Sequence, residues 1–334
     1  MMMLFRTYAR KLAATILFFT ALGLLHQGVV SAQSLDWPKK PVKLIVAFAP
    51  GGAVDTIGRD IAKELSVLWG QPVLIDNKPG AGGVIAADAT AKAAPDGYTL
   101  FLATDGINVV VPFMQSKLPY DTLSDLRPIA VVGTIPLMLV ATEESKIKTI
   151  NDFISKAKSK PGSIDYASNG IGVSPHMAME LFQRTAGIKL NHVPYKGSGL
   201  ALQDMLGGRV PIMWTAVSST MMHIKSGKLV PVAMGSLERS PLLPNVPTVS
   251  ETGFPGFEAA TWVGVMGPSK IPSAIIQKIQ ADLQKVTASP AYRKQQADKG
   301  NEVRSSTSDE FAELIRMEYS RNKVLFESGE ISRE

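Results

Sequence analysis

The sequence predicts an α/β protein built from two lobes. Apolar segments that favour β-strands alternate with amphipathic helical patterns from residue 42 onward, as in proteins whose helices pack on a mostly parallel sheet. Several of these segments end in glycine-rich turns that lead into the next helix. About 300 residues follow the N-terminal segment, a length that suits two lobes of this class.

The first 32 residues have the features of a secretory signal peptide. A basic stretch that ends at Lys11 precedes an apolar core over residues 12–25 and the small-residue cleavage site Val30-Ser31-Ala32. This core is too short for a transmembrane helix, and no other stretch is apolar enough to span a bilayer. We therefore expect a secreted, soluble mature protein that begins at Gln33.

The composition excludes several kinds of chemistry. The chain has no cysteine, which rules out disulfides, thiolate catalysis, cysteine-ligated metals and a lipid anchor on an N-terminal cysteine. Its hydrophobic content of 45% can supply a large core without disulfides. The formal charge is +6, and three cations lie in the signal peptide, which leaves +3 for the mature chain. The basic residues are scattered among acidic ones, so no nucleic-acid partner is expected.

The first strand, turn and helix of the mature chain predict an anion-binding point. Residues 42–48 form an apolar run typical of a strand buried on both faces, and Pro50-Gly51-Gly52 follows as a turn. We expect Asp55 or Thr56 to cap the next helix, whose apolar residues recur on one face. The turn and the helix N-terminus would direct backbone N–H groups and the positive end of the helix dipole at one point, which attracts carboxylate or phosphate.

Two nucleotide-binding motifs do not fit this turn. A P-loop needs Gly-Lys-Ser/Thr at the start of the helix, whereas Lys63 lies two turns too late. The dinucleotide fingerprint needs three glycines spaced as G-x-G-x-x-G, which are absent here. A small-carboxylate site and a purely structural turn both remain open.

The next two predicted strands of the first lobe also end in glycine and small polar residues. A strand over residues 71–76 leads to the turn over 77–83 and a helix over 84–93, and a strand over 98–103 ends at Thr104-Asp105-Gly106. Because ligands bind outside the carboxyl ends of strands in open α/β sheets, this repetition predicts a ligand-facing rim.

The second lobe is predicted to begin after two apolar strands that flank Pro136, over residues 129–132 and 137–141. Thr149 and Asp152 form a capping box, and Ser174 followed by Pro175 predicts another helix start. The remaining strands are predicted over residues 164–167, 192–194, 210–214, 229–234 and 262–266. The remaining helices are one after the turn at 195–199, one that begins at 215–219 and carries Met221 and Ile224, and two C-terminal helices capped by Ser273 and Ser308.

Reactive machinery is poorly supported. No G-x-S-x-G elbow occurs, and the S-x-x-K pairs Ser145/Lys148 and Ser155/Lys158 lack their partner motifs. The histidines are not spaced as metal ligands. His176 can meet an anion or serve as a capping and packing residue, and both interpretations stay open. Tyr195 is either a wall of the ligand site or a half-buried interface ring, and its place between Pro194 and Gly197 in a predicted turn favours the wall. We interpret Asp55 as a helix cap more than an acid catalyst.

Seven motifs along the chain carry a family resemblance: KPVKLIVAFAPGGAVDTIGRDIA, DNKPGAGGVIAA, PDGYTLFLAT, YASNGIGVSPHMAMELF, HVPYKGSGLALQDMLGGRV, PNVPTVSETGFPGFE and TWVGVMGP. In order and spacing, together with Trp37-Pro38, they resemble the Bug-type receptors, which are the extracytoplasmic substrate-binding receptors of tripartite tricarboxylate transporters. The resemblance covers essentially the whole mature chain. It implies a type II-like periplasmic-binding-protein fold, in which two α/β lobes close around a small organic anion.

The resemblance also implies how the chain is divided. Lobe 1 would be discontinuous, over residues 33–133 and 254–334, and lobe 2 would span residues 134–253. We expect the hinge near residues 132–136 and 253–257.

By position in the family motifs, ligand-binding residues carry over to both lobes. From lobe 1 these are Ala49, Pro50, Gly51, Gly52, Asp55, Gly82 and Thr104. From lobe 2 they are Ser168, Asn169, Gly172, Val173, Ser174, His176, Tyr195, Lys196 and Thr215. Family members often carry Asp at the place of Thr215, where it can pair with a ligand amine. Since Thr215 cannot form that ion pair, we expect a di- or tricarboxylate or an aromatic carboxylate without an α-amine.

The expected function is therefore that of a periplasmic receptor that delivers an organic anion to the permease subunits of a transporter. We expect a monomer with no catalytic residue, no metal and no cofactor. An alternative is a periplasmic ligand sensor that feeds a signalling system. A periplasmic enzyme would need a reactive residue that the sequence does not offer.

Overall fold

A mixed sheet runs through the structure, which is a computed structural model that describes residues 36–115 and 117–328. The predicted signal peptide, residues 1–32, lies outside this described part. Within it, nine strands form one sheet with the order β2-β1-β3-β9-β4-β7-β5-β6, and β8 pairs with β4.

The elements up to the long fourth strand are the following: β1 Val42–Val46, α1 Ala53–Trp69, β2 Val73–Asn77, a 3₁₀ turn Ala81–Gly83, α2 Val84–Ala91, β3 Thr99–Thr104, a π-helical turn Gly106–Val110, α3 Val111–Met114 and β4 Leu126–Thr142.

After β4 the chain continues as follows: a 3₁₀ turn Glu143–Ser145, α4 Ile150–Ser159, β5 Asp165–Ser168, α5 Ser174–Ala186, β6 Asn191–Pro194, α6 Ser198–Leu206, β7 Ile212–Ala216, α7 Val217–Lys225, β8 Leu229–Met234, a 3₁₀ turn Ser250–Thr252, β9 Ala260–Pro268, α8 Ser273–Ala288, α9 Pro290–Ala297 and α10 Ser308–Glu327.

Strand β4 joins two halves of the sheet. Its residues up to Pro136 pair antiparallel with β9, and from Leu137 onward it pairs with β7 and β8. We call β2, β1, β3, β9 and the first part of β4 the first sheet half, and the last part of β4 with β8, β7, β5 and β6 the second sheet half. Residues 129–132 and 137–141 are both strand residues as predicted, but the predicted break between them is wrong, because Pro136 lies within one continuous strand at the point where its pairing partner changes.

The apolar cores follow these halves. One cluster of buried side chains draws mainly on the first sheet half. Two others cover opposite faces of the second: Leu139 and Trp214 pack in one, and Met138 and Met213 in the other. This alternation is what the two-residue period of a strand requires. Val173 and Ala216 come from the second half but pack in the first cluster, so the halves are in contact.

Several predicted helix caps are wrong by one to four residues. Gly52, and not Asp55 or Thr56, is the N-cap of α1, because the helix begins directly after the glycine turn. Helices α5, α8 and α10 begin after Val173, Pro272 and Thr307, one residue before the predicted Ser174, Ser273 and Ser308. The capping box of Thr149 and Asp152 at α4 is confirmed. Across the described residues, no helix combines the length and the apolar character needed to cross a membrane.

Candidate functional site

Four helices of the described chain begin at one small cavity between the sheet halves. Its volume is ≈ 40 Å³, and about 10–15 Å³ holds one water molecule, so it has room for about three waters. The helix starts that line it are Gly52 to Val54 at α1, Val173 to Pro175 at α5, Ser198 at α6, and Ala216 with Ser219 at α7. Helix N-termini carry unpaired N–H groups and partial positive charge, so their convergence favours an anion.

The wall of this cavity is uncharged and combines mainly apolar surface with a few polar groups. Thr104, Asn169 and Thr215 contribute hydroxyl and amide groups, and Phe48 and Trp214 contribute apolar surface. Among the described residues that line it, none has a charged side chain. An anion held here would therefore rely on backbone amides, helix dipoles and neutral side-chain donors.

The start of α1 is fixed by Asp55, which is buried in the first turn. Its carboxylate accepts hydrogen bonds from Gly51 N at 3.0 Å, from Arg59 Nε at 2.8 Å and from Asn77 Nδ2 at 2.8 Å. Burial alone would raise the pKa of this carboxyl, yet the hydrogen bonds it accepts, that from Arg59 foremost, outweigh burial and hold the pKa below its usual value. Asp55 thus fastens the glycine turn to the helix.

His176 fixes the start of α5 in the way that Asp55 fixes the start of α1. Its Nδ1 accepts a hydrogen bond from Gly172 N at 3.0 Å, and its ring stacks on His192 with centroids 4.1 Å apart. Ser168 Oγ donates to Gly170 O at 2.9 Å and lies 2.7 Å from His192 Nε2. These contacts hold the 168–174 loop, which carries Asn169, against α5. They favour the capping and packing interpretation of His176.

The two sheet halves meet closely beside the cavity. Ser174 Oγ donates a hydrogen bond of 2.5 Å to Asp105 Oδ1. A Cβ built on Gly106 would lie 2.6 Å from Val173 Cα, and one built on Gly52 would lie 3.0 Å from Ser198 Oγ. These distances describe a closed arrangement. Burial raises the pKa of Asp105 to about 7.

A second cavity of ≈ 320 Å³ adjoins the first, because Phe48 and Asn169 line both. The 3₁₀ turn at Ala81–Gly83 forms one wall, and Tyr195 with Lys196 forms another. Tyr195 Oη donates to Asp204 Oδ2 at 2.7 Å, which fixes the ring.

A larger cavity of ≈ 880 Å³ lies between α5, α10 and the segment 253–260. It contains charged groups, among them Glu318, which accepts a hydrogen bond of 2.8 Å from Trp262 Nε1. Ser174 alone of the predicted ligand-binding residues lines it. The largest of the three cavities is therefore not the one that the predicted ligand-binding residues line.

Some of the predicted ligand-binding residues line one of the two smaller cavities, and the others line neither. Gly52, Thr104, Asn169, Val173, Ser174 and Thr215 line the 40 Å³ cavity. Gly82, Asn169, Tyr195 and Lys196 line the 320 Å³ cavity. The others, which line neither cavity, lie in the turns that carry the lining residues or at the helix starts: Ala49, Pro50, Gly51, Asp55, Ser168, Gly172 and His176. Their contact with a ligand stays a prediction.

Sequence reasoning missed several lining residues. Ser198 and Ser219 lie at helix starts after a glycine turn and after a strand, a signal that predicts such positions elsewhere in the chain. Phe48, Trp214 and Thr261 lie in or next to strands and carry no signal beyond that of core residues.

Comparison with known proteins identifies the family. The TctC family, the tripartite tricarboxylate transporter family receptor, matches residues 57–330. The protein BugT of Bordetella pertussis is 38% identical over 296 residues, which cover 88% of this chain and 91% of BugT.

Solved structures of similar proteins share the fold. R. palustris Rpa4515 with adipate is 31% identical with a TM-score of 0.84, covering 88% of this chain and 99% of that one. MatC from Rhodopseudomonas palustris with bound malate is 31% identical with a TM-score of 0.81, covering 87% and 100%. The periplasmic binding protein BugD is 29% identical with a TM-score of 0.84, covering 89% and 100%.

The predicted fold class, that of the periplasmic solute-binding proteins, is thereby confirmed. The family is one of Bug-type solute-binding receptors. This chain belongs to the receptor family of the tripartite tricarboxylate transporters.

Proposed function

We propose that this protein is a monomeric periplasmic receptor that captures a small organic carboxylate without an α-amine and delivers it to the permease subunits of a tripartite tricarboxylate transporter. One carboxylate of the acid binds in the 40 Å³ cavity between the sheet halves, and the rest of the molecule extends past Phe48 and Asn169 into the 320 Å³ cavity.

The convergence of four helix N-termini on an uncharged cavity carries this proposal. Each N-terminus is equivalent to roughly half a positive charge, and its effect is strongest where water is excluded. A carboxylate there accepts backbone hydrogen bonds without a buried counter-charge, so the protein avoids the desolvation cost of a buried lysine or arginine.

The uncharged wall of the 40 Å³ cavity also favours a ligand without an α-amine. A buried ammonium group needs a carboxylate partner, and the described residues that line the cavity include none. Thr215, where the family often has Asp, lines this cavity and is 3% exposed. The two R. palustris receptors were solved with malate and adipate, both amine-free dicarboxylates, which supports the same ligand class.

Capture and release require the two lobes to move. The first lobe comprises residues 33–133 and 254–334 and the second residues 134–253, and the hinge lies near residues 132–136 and 253–257. The change of pairing partner in β4 at Pro136 supports this division, since few backbone hydrogen bonds would have to break there.

A thermal-shift panel tests the proposal with succinate, malate, adipate, benzoate and terephthalate. A true ligand at 100 times its Kd adds about 2.7 kcal/mol to the free energy of unfolding. Aspartate and succinate form a matched pair that differs only in the α-amine, and we expect succinate to stabilise more. The ligand class is wrong if aspartate or glutamate stabilises more than the amine-free acids, and the receptor function fails if no acid stabilises at all.

A further inference from the structure

Buried polar atoms without a hydrogen-bond partner gather at the 40 Å³ cavity. Trp214 Nε1, Ser219 Oγ and Asn169 Oδ1 are each buried, and none has a partner among the described residues. All three residues line the same cavity. Because more than nine in ten buried polar groups in proteins are paired, a cluster of unpaired ones at one cavity calls for a ligand that pairs them.

Trp214 is the most informative of the three. The residue is fully buried in β7, and its ring stacks on Phe257 with centroids 5.9 Å apart. An indole N–H can only donate, so burial without an acceptor costs free energy that a phenylalanine would avoid. The packing of the ring explains why an aromatic residue lies at this position, but it does not explain why that residue carries an indole N–H.

Two other buried tryptophans in the described chain show the usual solution, whereas Trp37 Nε1, buried away from this cavity, also has no partner among the described residues. Trp69 Nε1 donates to Asp282 Oδ2 at 2.9 Å, and Trp262 Nε1 donates to Glu318 Oε2 at 2.8 Å. In both cases a carboxylate of the protein accepts the bond. Trp214 differs from Trp37 in that it lines the 40 Å³ cavity, where a bound molecule can supply the acceptor.

We propose that Trp214 Nε1 and Ser219 Oγ donate hydrogen bonds to an oxygen of the bound acid, and that the amide of Asn169 completes the contact. This inference rests on the proposed function and adds to it the side chains that position the ligand oxygen. The oxygen and nitrogen of the Asn169 amide are interchangeable by a flip, so this side chain can accept from a ligand hydroxyl or donate to a carboxylate.

The first test is the affinity of Trp214→Phe for the tightest-binding acid among succinate, malate, adipate, benzoate and terephthalate, measured by titration calorimetry. We expect the Kd to rise about ten- to a hundredfold, because a hydrogen bond to a charged oxygen is lost. The unfolding midpoint of the ligand-free variant should fall less than that of Trp69→Phe, since both lose ring volume but only Trp69→Phe also loses a hydrogen bond within the protein.

Trp69→Phe is the matched control, because it removes a buried indole N–H that has a partner in the protein. It should lower the unfolding midpoint and leave the Kd unchanged. This pattern, different from that of Trp214→Phe, separates a ligand contact from a general effect of losing a tryptophan. Ser219→Ala should also raise the Kd. If Trp214→Phe does not fold, the Kd of Ser219→Ala becomes the test of the proposed ligand contact.

A spectroscopic readout tests the contact directly. The indole N–H resonance of Trp214, assigned by its loss in Trp214→Phe, should shift downfield when the acid is added, while that of Trp69 should not move. If the wild type binds an acid and both cavity variants bind it with the same Kd, or if the Trp214 resonance stays in place, this inference is overturned and the receptor function stands. If the wild type binds none of the five acids, the proposed function fails and the inference falls with it.

Discussion

Asp55 and Trp214 show how single buried polar residues divide between structure and ligand. Both oxygens of the Asp55 carboxylate accept hydrogen bonds from the protein, donated by Gly51, Arg59 and Asn77. The indole N–H of Trp214 has no such partner in the described residues. The first residue was prominent in the sequence because it follows a glycine turn, and the second was not, because a tryptophan in an apolar strand looks like a core residue.

Asp105 gives a residue-scale prediction about pH. Burial raises its pKa to about 7 in the folded protein, above the value near 4 of an unfolded carboxyl. The folded state therefore binds the proton more tightly, so the stability that Asp105 contributes is fully present below about pH 4 and is lost as the pH rises through about 7. Asn accepts the same hydrogen bond from Ser174 Oγ and stays neutral.

We expect Asp105→Asn to have a higher free energy of unfolding than the wild type at pH 8, with a gap that narrows toward pH 4. Urea unfolding at the two pH values measures this gap. Glu318, whose pKa burial also raises, is present in both proteins and contributes to both curves. A gap of the same size at both pH values would contradict a protonated Asp105.

At the scale of elements, the order of strands and helices could be predicted from periodicity and turn residues, but their exact ends could not. Strand β8 was predicted with its observed bounds, Leu229–Met234, and the capping box at α4 was also correct. Helix α1 begins at Gly52 without a side-chain cap, so the search for a polar cap residue pointed to Asp55 instead. Helix α9 was missed, because its largely polar sequence lacks an apolar face.

The contact between the π-helical turn at Gly106–Val110 and the start of α5 gives an element-scale prediction. A methyl group on Gly106 would press against the backbone of Gly172 and Val173, which cannot move aside as a side chain can. Overpacking of this kind costs about 1–3 kcal/mol. Because the two sheet halves touch at this point only when they are closed together, the substitution destabilises the closed arrangement. We therefore expect Gly106→Ala to raise the Kd for the acid about five- to a hundredfold, measured by titration calorimetry.

Gly199→Ala is the control for this substitution. Gly199 lies in α6 with nothing within 4 Å of a Cβ built on it, so alanine fits without a clash. Its Kd should equal that of the wild type. An unchanged Kd for Gly106→Ala would mean that binding does not require the halves to approach as closely as they do here.

At the scale of the whole molecule, the fold class of the periplasmic solute-binding proteins could be predicted from the sequence. Glycine turns at strand ends pointed to residues such as Gly52, Thr104 and Ser174, which line the small cavity, and their contact with a ligand stays a prediction. What the sequence could not provide is long-range geometry. The joining of both halves through β4, and the meeting of Trp214 and Ser219 with Asn169, depend on pairing between segments far apart in the chain.

The molecule also offers a competing location, the 880 Å³ cavity between α5 and α10. That cavity is larger and contains Arg304 and Arg321, so an anion could be drawn to it by ordinary charge attraction. The small cavity contains no charge among the described residues that line it and relies on helix N-termini instead. The two locations therefore differ in the kind of positive potential that would hold the ligand, arginine side chains in one and helix N-termini in the other.

A crystal structure of the protein with the tightest-binding acid of the panel separates these two locations most directly. We predict a carboxylate in the small cavity, with its oxygens within hydrogen-bonding distance of backbone N–H groups at the starts of α1 and α5. An acid bound instead beside Arg304 and Arg321, with the small cavity left to water, would contradict the central claim.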